Sequence, residues 1–139
     1  MTETGKVLYT AKTRTTGGRE HGASRSSDGS LDVKLSIPGS ARIGSNPEQL
    51  LAAGWSASFE SAMAIAARKK KIALPPDFSI DAEVDLNIAE SGYFLRARLK
   101  VSAPGIDREL AQAIVEEADQ TCPYSKATRG NIDVAIALI

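Results

Sequence analysis

The order of predicted elements indicates an α+β fold with mainly antiparallel sheets. Three predicted strands precede a long Ala-rich helix, two more follow it, and a second helix leads to a last strand. Strands that come in runs, rather than one to each helix, are typical of α+β proteins. A chain of 139 residues is long enough for one domain with its own core, so we predict a single domain over residues 1–139.

The N-terminal part is predicted to form three antiparallel strands. Alternate positions over residues 7–15 are apolar or β-branched, as in a half-buried strand, and residues 19–22 are expected in a turn or short strand. The run Ser27-Asp28-Gly29 contains an Asp-Gly pair, which favours a hairpin reversal. Residues 31–37 alternate again and end at Pro38.

A long helix is predicted from Asn46 to the cationic run at residues 68–71. Asn46 is a suitable N-cap, Pro47 suits the first helical position, and Glu48 places a carboxylate at the positive end of the helix dipole. The interior is rich in Ala and apolar nearly all round, which is typical of a helix buried in the core. One inner face is predicted to carry Leu51, Trp55, Ser58, Ala62 and Ile65.

The C-terminal half is predicted to contain a hairpin, a helix and a strand. Residues 78–88 and 93–101 alternate around the turn Glu90-Ser91-Gly92. Asp107 is expected to cap a second helix that runs to about Thr121, because Pro123 disfavours a helical residue before it. Residues 124–131 are then expected as a loop, and residues 132–138 as the last strand.

Composition narrows the function. The charges balance, so neither nucleic acid nor an anionic membrane is predicted as a partner. No apolar run is expected to span a bilayer, and the polar N-terminus lacks a signal-peptide core, so we predict a cytoplasmic protein. Cys122 is the one cysteine and His21 the one histidine, so no intrachain disulfide can form and no metal site is predicted.

Four polar residues are candidates for chemistry, yet each has a structural interpretation. Arg19 is typical of a solvated turn, and Glu48 of a helix-dipole residue. Ser58 is typical of a small residue that bonds back to the preceding helical turn, and Cys122 of a small buried hydrophobe. Taken singly, the structural interpretation is preferred for each of them.

The motifs taken together change that preference. Residues 45–54 read Ser-Asn-Pro-Glu-Gln-Leu-Leu-Ala-Ala-Gly, and residues 121–131 read Thr-Cys-Pro-Tyr-Ser-Lys-Ala-Thr-Arg-Gly-Asn. Both runs closely resemble the organic hydroperoxide resistance proteins, the Ohr branch of the OsmC/Ohr superfamily. Residues 7–11, 16–19 and 27–35 match in the same order, so the resemblance covers essentially the whole chain.

The resemblance implies a fold and a reaction. The fold is an intertwined homodimer, in which antiparallel sheets wrap around two central helices and the active sites lie at the dimer interface. The reaction reduces alkyl and fatty-acid hydroperoxides to alcohols through a peroxidatic and a resolving cysteine. No bound cofactor is implied, since dihydrolipoamide or a lipoylated protein reduces the resulting disulfide from outside.

The resemblance also assigns residues to roles. Cys122 takes the place of the resolving cysteine, and Arg19 and Glu48 take the places of the family's arginine and glutamate. A guanidinium favours a thiolate beside it, and a carboxylate paired with the guanidinium fixes its position. Apolar walls would then favour bulky hydroperoxides. The candidates for those walls are Tyr124, Trp55 and Phe59, although core packing is the preferred role for Trp55 and Phe59.

One departure matters most. The family has cysteine where this chain has Ser58, between Ala57 and Phe59. Serine keeps the volume, but its hydroxyl stays neutral and oxygen cannot pass through a sulfenic acid and disulfide cycle, so the chain is predicted to be inactive as a peroxidase. It is either an engineered Cys-to-Ser version of a working enzyme or a natural paralogue that binds hydroperoxides or lipids without turnover. The retention of Arg19, Glu48 and Cys122 favours the first explanation.

The sequence offers two other classes of function. A serine hydrolase is suggested by residues 54–58, which begin like a nucleophile elbow, but the closing Gly is absent and the run lies within the predicted helix. His21 would have to be its general base. A purely structural dimer, in which the polar residues only satisfy one another, predicts no affinity for hydroperoxides or their alcohols.

Overall fold

The computed structural model describes residues 4–139, which divide into two compact units, one ending at Pro47 and one running from Glu48 to Ile139. The first unit contains β1 (Thr13–Thr16), α1 (Gly18–His21), β2 (Ala23–Ser26) and β3 (Asp32–Lys34). The helix α2 (Pro47–Lys69) leads into the second unit, which contains β4 (Ser79–Ala89), β5 (Gly92–Ser102), α3 (Arg108–Thr121), α4 (Pro123–Thr128) and β6 (Asp133–Leu138). The predicted α+β class is confirmed.

The first unit is the predicted sheet of three antiparallel strands, and their order is β1-β2-β3. Its first strand is shorter than predicted: β1 starts only at Thr13, all four of its residues are exposed, and Val7 and Tyr9 are 77% and 78% exposed. The cause is the partner strand. Thr13 pairs with Ser26, where β2 ends at the hairpin turn, so no strand within the unit extends far enough to pair with the residues before Thr13.

The segment around Arg19 is a single helical turn, α1, and not the predicted turn or short strand. Gly17 precedes it with a φ of 77°, a left-handed conformation that glycine adopts without cost. Gly22 ends the turn where a Cβ would collide with the carbonyl oxygens of Gly18 and Thr16. Glycines on both sides therefore let the chain fold back on itself and form α1.

The hairpin turn between β2 and β3 was predicted from its Asp-Gly pair and is held by Asp28. Its carboxylate accepts hydrogen bonds from the Ser26 hydroxyl at 2.6 Å, the Ser30 hydroxyl at 2.7 Å and the Ser30 amide at 3.0 Å. These bonds, with that from Ser26 the strongest, lower the pKa of the Asp28 carboxyl to about 2. All three bonds favour the ionised form.

We expect Asp28 to make folding stability depend on pH below about 4. Its pKa is lower in the folded chain than the unfolded value of about 3.9, so its contribution is complete above that value and is lost as pH falls towards 2. Urea unfolding of the protein and of Asp28→Asn, measured between pH 5 and pH 2, should give curves that converge at the acid end. A constant difference between the two proteins over this range would contradict the assignment.

The central helix α2 begins at Pro47, as its sequence predicts. It ends at Lys69, and Lys71 then adopts a φ of 58°, which lets the Ile72 amide donate to the Ala67 carbonyl at 2.9 Å. The predicted inner face is wrong at Ile65, which is 52% exposed. The observed buried face lies a little further round the helix and comprises Trp55, Phe59, Ala62, Met63, Ala66 and Ala67.

The expectation that no run could span a bilayer does not hold for α2 on length and composition alone. This 23-residue helix is long and apolar enough to cross a membrane, judged by length and composition only. The buried helix of a soluble core passes the same test. In α2, 33% of the apolar stretch is buried, and the buried face lies in one hydrophobic cluster with β5 and α3.

The second sheet has the order β4-β5-β6, and its inner face forms the main core. β4 and β5 are the predicted antiparallel hairpin, whereas β6 runs parallel to β5 after the chain has passed through α3 and α4. Asp107 caps α3 as predicted, since its carboxylate accepts from the Leu110 amide at 3.2 Å. The residues buried in this core from the sheet and α3 are Ala97, Leu99, Val101, Ile114, Val115 and Ala118.

The opposite face of the hairpin carries an ion network centred on Arg98. Its two terminal nitrogens donate to Asp85 at 2.8 and 2.7 Å, and its Nε donates to Glu83 at 2.8 Å. These bonds lower the pKa of both carboxyls and raise that of the guanidinium. The side chains are a third to a half exposed, so we ascribe to the network a role in strand register rather than much stability.

The predicted loop over residues 124–131 is wrong in its first part, which forms the helix α4. Pro123 explains both the end of α3 and the start of α4. Pro123 holds Cys122 in an extended conformation, with φ −63° and ψ 124°, so α3 ends there. Pro123 then takes the first position of a new helix, where its missing N–H costs nothing. Cys122 is therefore the joint between α3 and α4.

Candidate functional site

The structure brings Ser58 and Cys122 into contact, although 64 residues separate them in the sequence. The Cys122 thiol donates to the Ser58 hydroxyl, with Sγ and Oγ 3.6 Å apart. Ser58 lies in the middle of α2, whereas Cys122 is presented by the joint between α3 and α4. Cys122 is fully buried and Ser58 is half-buried, so in the single chain solvent reaches this pair from the side of Ser58.

Tyr124 lies next to this pair, on the first turn of α4. It is 36% exposed, and its phenol ring lies over Gly54, one helical turn before Ser58 on α2. A wall role for Tyr124 stays a prediction.

Trp55 and Phe59 lie in the core, the role preferred for both from the sequence. Both are 0% exposed and belong to the cluster that α2 forms with β5 and α3. The Trp55 indole N–H donates to the buried Ser125 hydroxyl at 3.4 Å, across 70 residues of sequence. A buried indole needs such a partner, so Ser125 lets Trp55 enter the core without an unpaired donor.

The two charged candidates lie on different elements, Glu48 on α2 and Arg19 on α1. Glu48 is half-buried in the first turn of α2, and ten residues of helix correspond to about 15 Å along the axis. Arg19 lies on α1 in the N-terminal unit and is exposed there. The contact of Arg19 with a residue at position 58, and its pairing with Glu48, stay predictions.

The nucleophile-elbow interpretation fails on geometry. Residues 54–58 lie inside α2, whereas an elbow requires a sharp turn from strand to helix. Ser56 bonds back to the carbonyl oxygens of Ala52 and Ala53, at 2.8 and 3.2 Å. The side chain of His21 is 80% exposed in the N-terminal unit, 3.8 Å from Glu20.

Sequence reasoning missed three contacts around the site. Ser125 and Gly54 were given no role, although a glycine within an Ala-rich helix was a signal that something approaches the backbone there. Arg129, in the run that resembles the family, donates to the Asp119 carbonyl at 2.5 Å and lies 3.6 Å from the Asp119 carboxylate. It ties the end of α4 to α3. Over residues 4–139, no three side chains of His, Cys, Asp or Glu form a group that could hold a metal ion.

Comparison with known proteins shows which family the whole chain resembles. Residues 38–137 match the family model described as OsmC-like protein. An organic hydroperoxide resistance protein of Xanthomonas axonopodis pv. citri is 47% identical over 137 residues, which cover 96% of each chain. The crystal structure of the organic hydroperoxide resistance protein OhrB of Bacillus subtilis superposes with a TM-score of 0.88 at 42% identity, over 96% of this chain and 100% of that one. An organic hydroperoxide resistance protein of Legionella pneumophila gives a TM-score of 0.88 at 40% identity, over 96% and 98%.

Proposed function

The chain belongs to the OsmC-like protein family, and from this membership we propose that its fold is that of a thiol-dependent peroxidase for organic hydroperoxides. The observation that carries the proposal is the 3.6 Å contact between Ser58 and Cys122. It joins the one thiol of the chain to the position that the family resemblance gives to the nucleophile. The names of the relatives support a role in peroxide detoxification.

The proposed reaction needs sulfur at position 58. A thiolate there attacks the outer oxygen of the hydroperoxide, an S–O bond forms, the O–O bond breaks, and the leaving alkoxide takes a proton to become the alcohol. The sulfur, oxidised by two electrons, is now a sulfenic acid. The Cys122 thiolate then attacks the sulfenic sulfur: an S–S bond forms, the S–O bond breaks, and the leaving hydroxide takes a proton to become water. The present distance of 3.6 Å is about 1.5 Å longer than an S–S bond, so only a small approach is needed.

Arg19 and Glu48 are proposed to prepare the nucleophile. A guanidinium close to position 58 would favour a thiolate over a thiol, because opposite charges lower the pKa of the ionising group. Glu48 would hold that guanidinium by a charge-assisted hydrogen bond. Neither residue would take a covalent part in the reaction.

With Ser58 the chain is proposed to keep the fold and lose the turnover. A serine hydroxyl ionises too weakly to attack a peroxide at neutral pH, and no Arg within reach would change that. The disulfide, once formed in a chain with sulfur at position 58, is proposed to be reduced by dihydrolipoamide or a lipoylated protein in the cytoplasm. No bound cofactor takes part in this scheme.

A homodimer is proposed because the inner face of the hairpin stays apolar beyond the core. At its tip Ile88 and Tyr93 pair across the strands and are 71% and 74% exposed in the single chain. Ile65, on α2, is 52% exposed. Apolar residues that continue a core-facing stripe into solvent are typical of a surface that a partner covers.

We expect the protein to sediment as a dimer, with twice the chain mass of 14.7 kDa, at micromolar concentration. Tyr93→Lys should shift it towards the monomer, because a charge would have to be buried in the interface. Glu90→Lys, at the exposed polar turn of the same hairpin, is the matched control and should leave the dimer intact. Sedimentation velocity checks this, and a monomer mass for the unchanged protein would overturn the proposal.

The experiment that tests the function compares the chain with its Ser58→Cys variant. Consumption of cumene hydroperoxide is followed with dihydrolipoamide as the reductant. Activity in the variant alone supports the peroxidase scaffold, whereas two inactive proteins would contradict it. In that case calorimetric titration of the unchanged protein with cumyl alcohol tests the alternative function, binding without turnover.

A further inference from the structure

Gly54 occupies an unfavourable position for glycine. It lies well inside α2 among alanines, where glycine is about 1 kcal/mol less favourable than alanine. The space that its missing side chain leaves is filled by Tyr124. A Cβ at position 54 would lie 2.6 Å from the Tyr124 hydroxyl oxygen, 3.2 Å from Cζ and 3.6 Å from Cε2.

The short segment from Cys122 to Tyr124 thus contacts α2 at two positions. The thiol of Cys122 reaches Ser58, and two residues later the phenol of Tyr124 reaches Gly54. Positions 54 and 58 are one helical turn apart and lie on the same side of α2. Since Cys122 is the extended joint between two helices, the docking of Tyr124 at the start of α4 restricts where the thiol can lie.

We propose that Gly54 is a positioning residue for disulfide formation between position 58 and Cys122. The absence of a side chain lets the Tyr124 phenol dock against α2, and this docking holds the Cys122 sulfur within reach of the atom at position 58. The inference rests on the proposed function, in which a disulfide forms between these positions. It concerns the resolving step, and Gly54 itself touches no reacting atom.

The hydroxyl of Tyr124 decides the fit. At 2.6 Å it is the atom that a Cβ at position 54 would have to displace, whereas the next ring atom, at 3.2 Å, is tight but needs a shift of only a few tenths of an ångström. Removing the hydroxyl should therefore make room for the methyl group. Gly54→Ala alone would favour the helix by propensity, so a loss of disulfide stability could not be ascribed to a weakened α2.

The test measures the disulfide without any peroxide. In the Ser58→Cys background, the protein is equilibrated with mixtures of reduced and oxidised glutathione, and the intrachain disulfide is quantified by mass after acid quenching. Two thiols lose two electrons and two protons, and one glutathione disulfide becomes two glutathione molecules. The equilibrium constant gives the effective concentration of one thiol at the other.

We expect Gly54→Ala to lower this effective concentration about tenfold. An effect of this size is typical of the coupling between residues in direct contact. The double variant Gly54→Ala with Tyr124→Phe should recover to within about threefold of the parent, and Tyr124→Phe alone should also stay within about threefold. Tyr124→Ala, which removes the docked ring from the other side, should lower it as Gly54→Ala does. Ala53→Gly, exposed on α2, controls for helix propensity and should have little effect.

Recovery in the double variant Gly54→Ala with Tyr124→Phe distinguishes a positioning role of Gly54 from a general loss of structure. An unchanged effective concentration in Gly54→Ala, or a double variant as low as the single one, would overturn the proposal. So would a parent that forms no intrachain disulfide. Because the measurement contains no hydroperoxide, the predicted pattern in a protein without peroxidase turnover would uphold the positioning role and reject only the proposed function.

Discussion

Ser58→Cys is expected to raise the rate of cumene hydroperoxide reduction by roughly 10³-fold or more over the unchanged chain, the scale on which an enzyme depends on its nucleophile. The physical reason is the difference in chemistry between sulfur and oxygen at position 58. Sulfur ionises near neutral pH and accepts oxygen from a peroxide, whereas the serine oxygen does neither. The substitution changes little in volume, so the fold and the contact with Cys122 should persist.

The controls for this prediction use the same two positions. Ser58→Ala should be as inactive as the unchanged protein. Ser58→Cys combined with Cys122→Ser should react once with the hydroperoxide and stop at the sulfenic acid, since the resolving thiol is absent. Dimedone labelling and mass spectrometry would detect that intermediate. A double variant that turns over as fast as Ser58→Cys would show that Cys122 has no part in the cycle.

The long elements were predictable from the sequence because their patterns extend over many residues. The β4–β5 hairpin and α3 follow their apolar periodicity, and the Asp107 cap and the start of α2 at Pro47 follow local chemistry. The short helices α1 and α4 were missed because four or six residues carry too little periodicity. The start of β1 was missed because it depends on where the partner strand ends, at Ser26.

The candidate site was predictable only through the family motifs. Local physics gave Ser58 and Cys122 ordinary packing roles, and no periodicity relates two residues that are 64 positions apart. The contact of Tyr124 with Gly54 was missed for the same reason, although the glycine itself was visible. Ile65 was placed on the buried face because an Ala-rich helix is apolar nearly all round, so its pattern does not fix which face the sheet covers.

Phe59→Ala is expected to lower the free energy of unfolding by about 3–5 kcal/mol, a large part of the stability of a domain of this size. Phe59 is fully buried between α2, the sheet and α3, so truncation leaves a cavity that these packed elements cannot close. Urea unfolding at fixed protein concentration measures the loss. Phe59→Leu, which keeps most of the volume, should cost less than about 1.5 kcal/mol.

The same variants show whether Phe59 is a core residue or part of the wall of the substrate site. The comparison is made in the Ser58→Cys background and measures the ratio of kcat/KM for cumene hydroperoxide to kcat/KM for hydrogen peroxide. If Phe59 is a core residue, Phe59→Leu leaves this ratio unchanged. Phe59 is 0% exposed and its contacts are core residues, so we expect that outcome. A selectivity that falls several-fold while stability is retained would instead place Phe59 in the wall of the substrate site. The neighbouring Ser58 would then have its apolar pocket on the core side of α2, and not on the side of Tyr124.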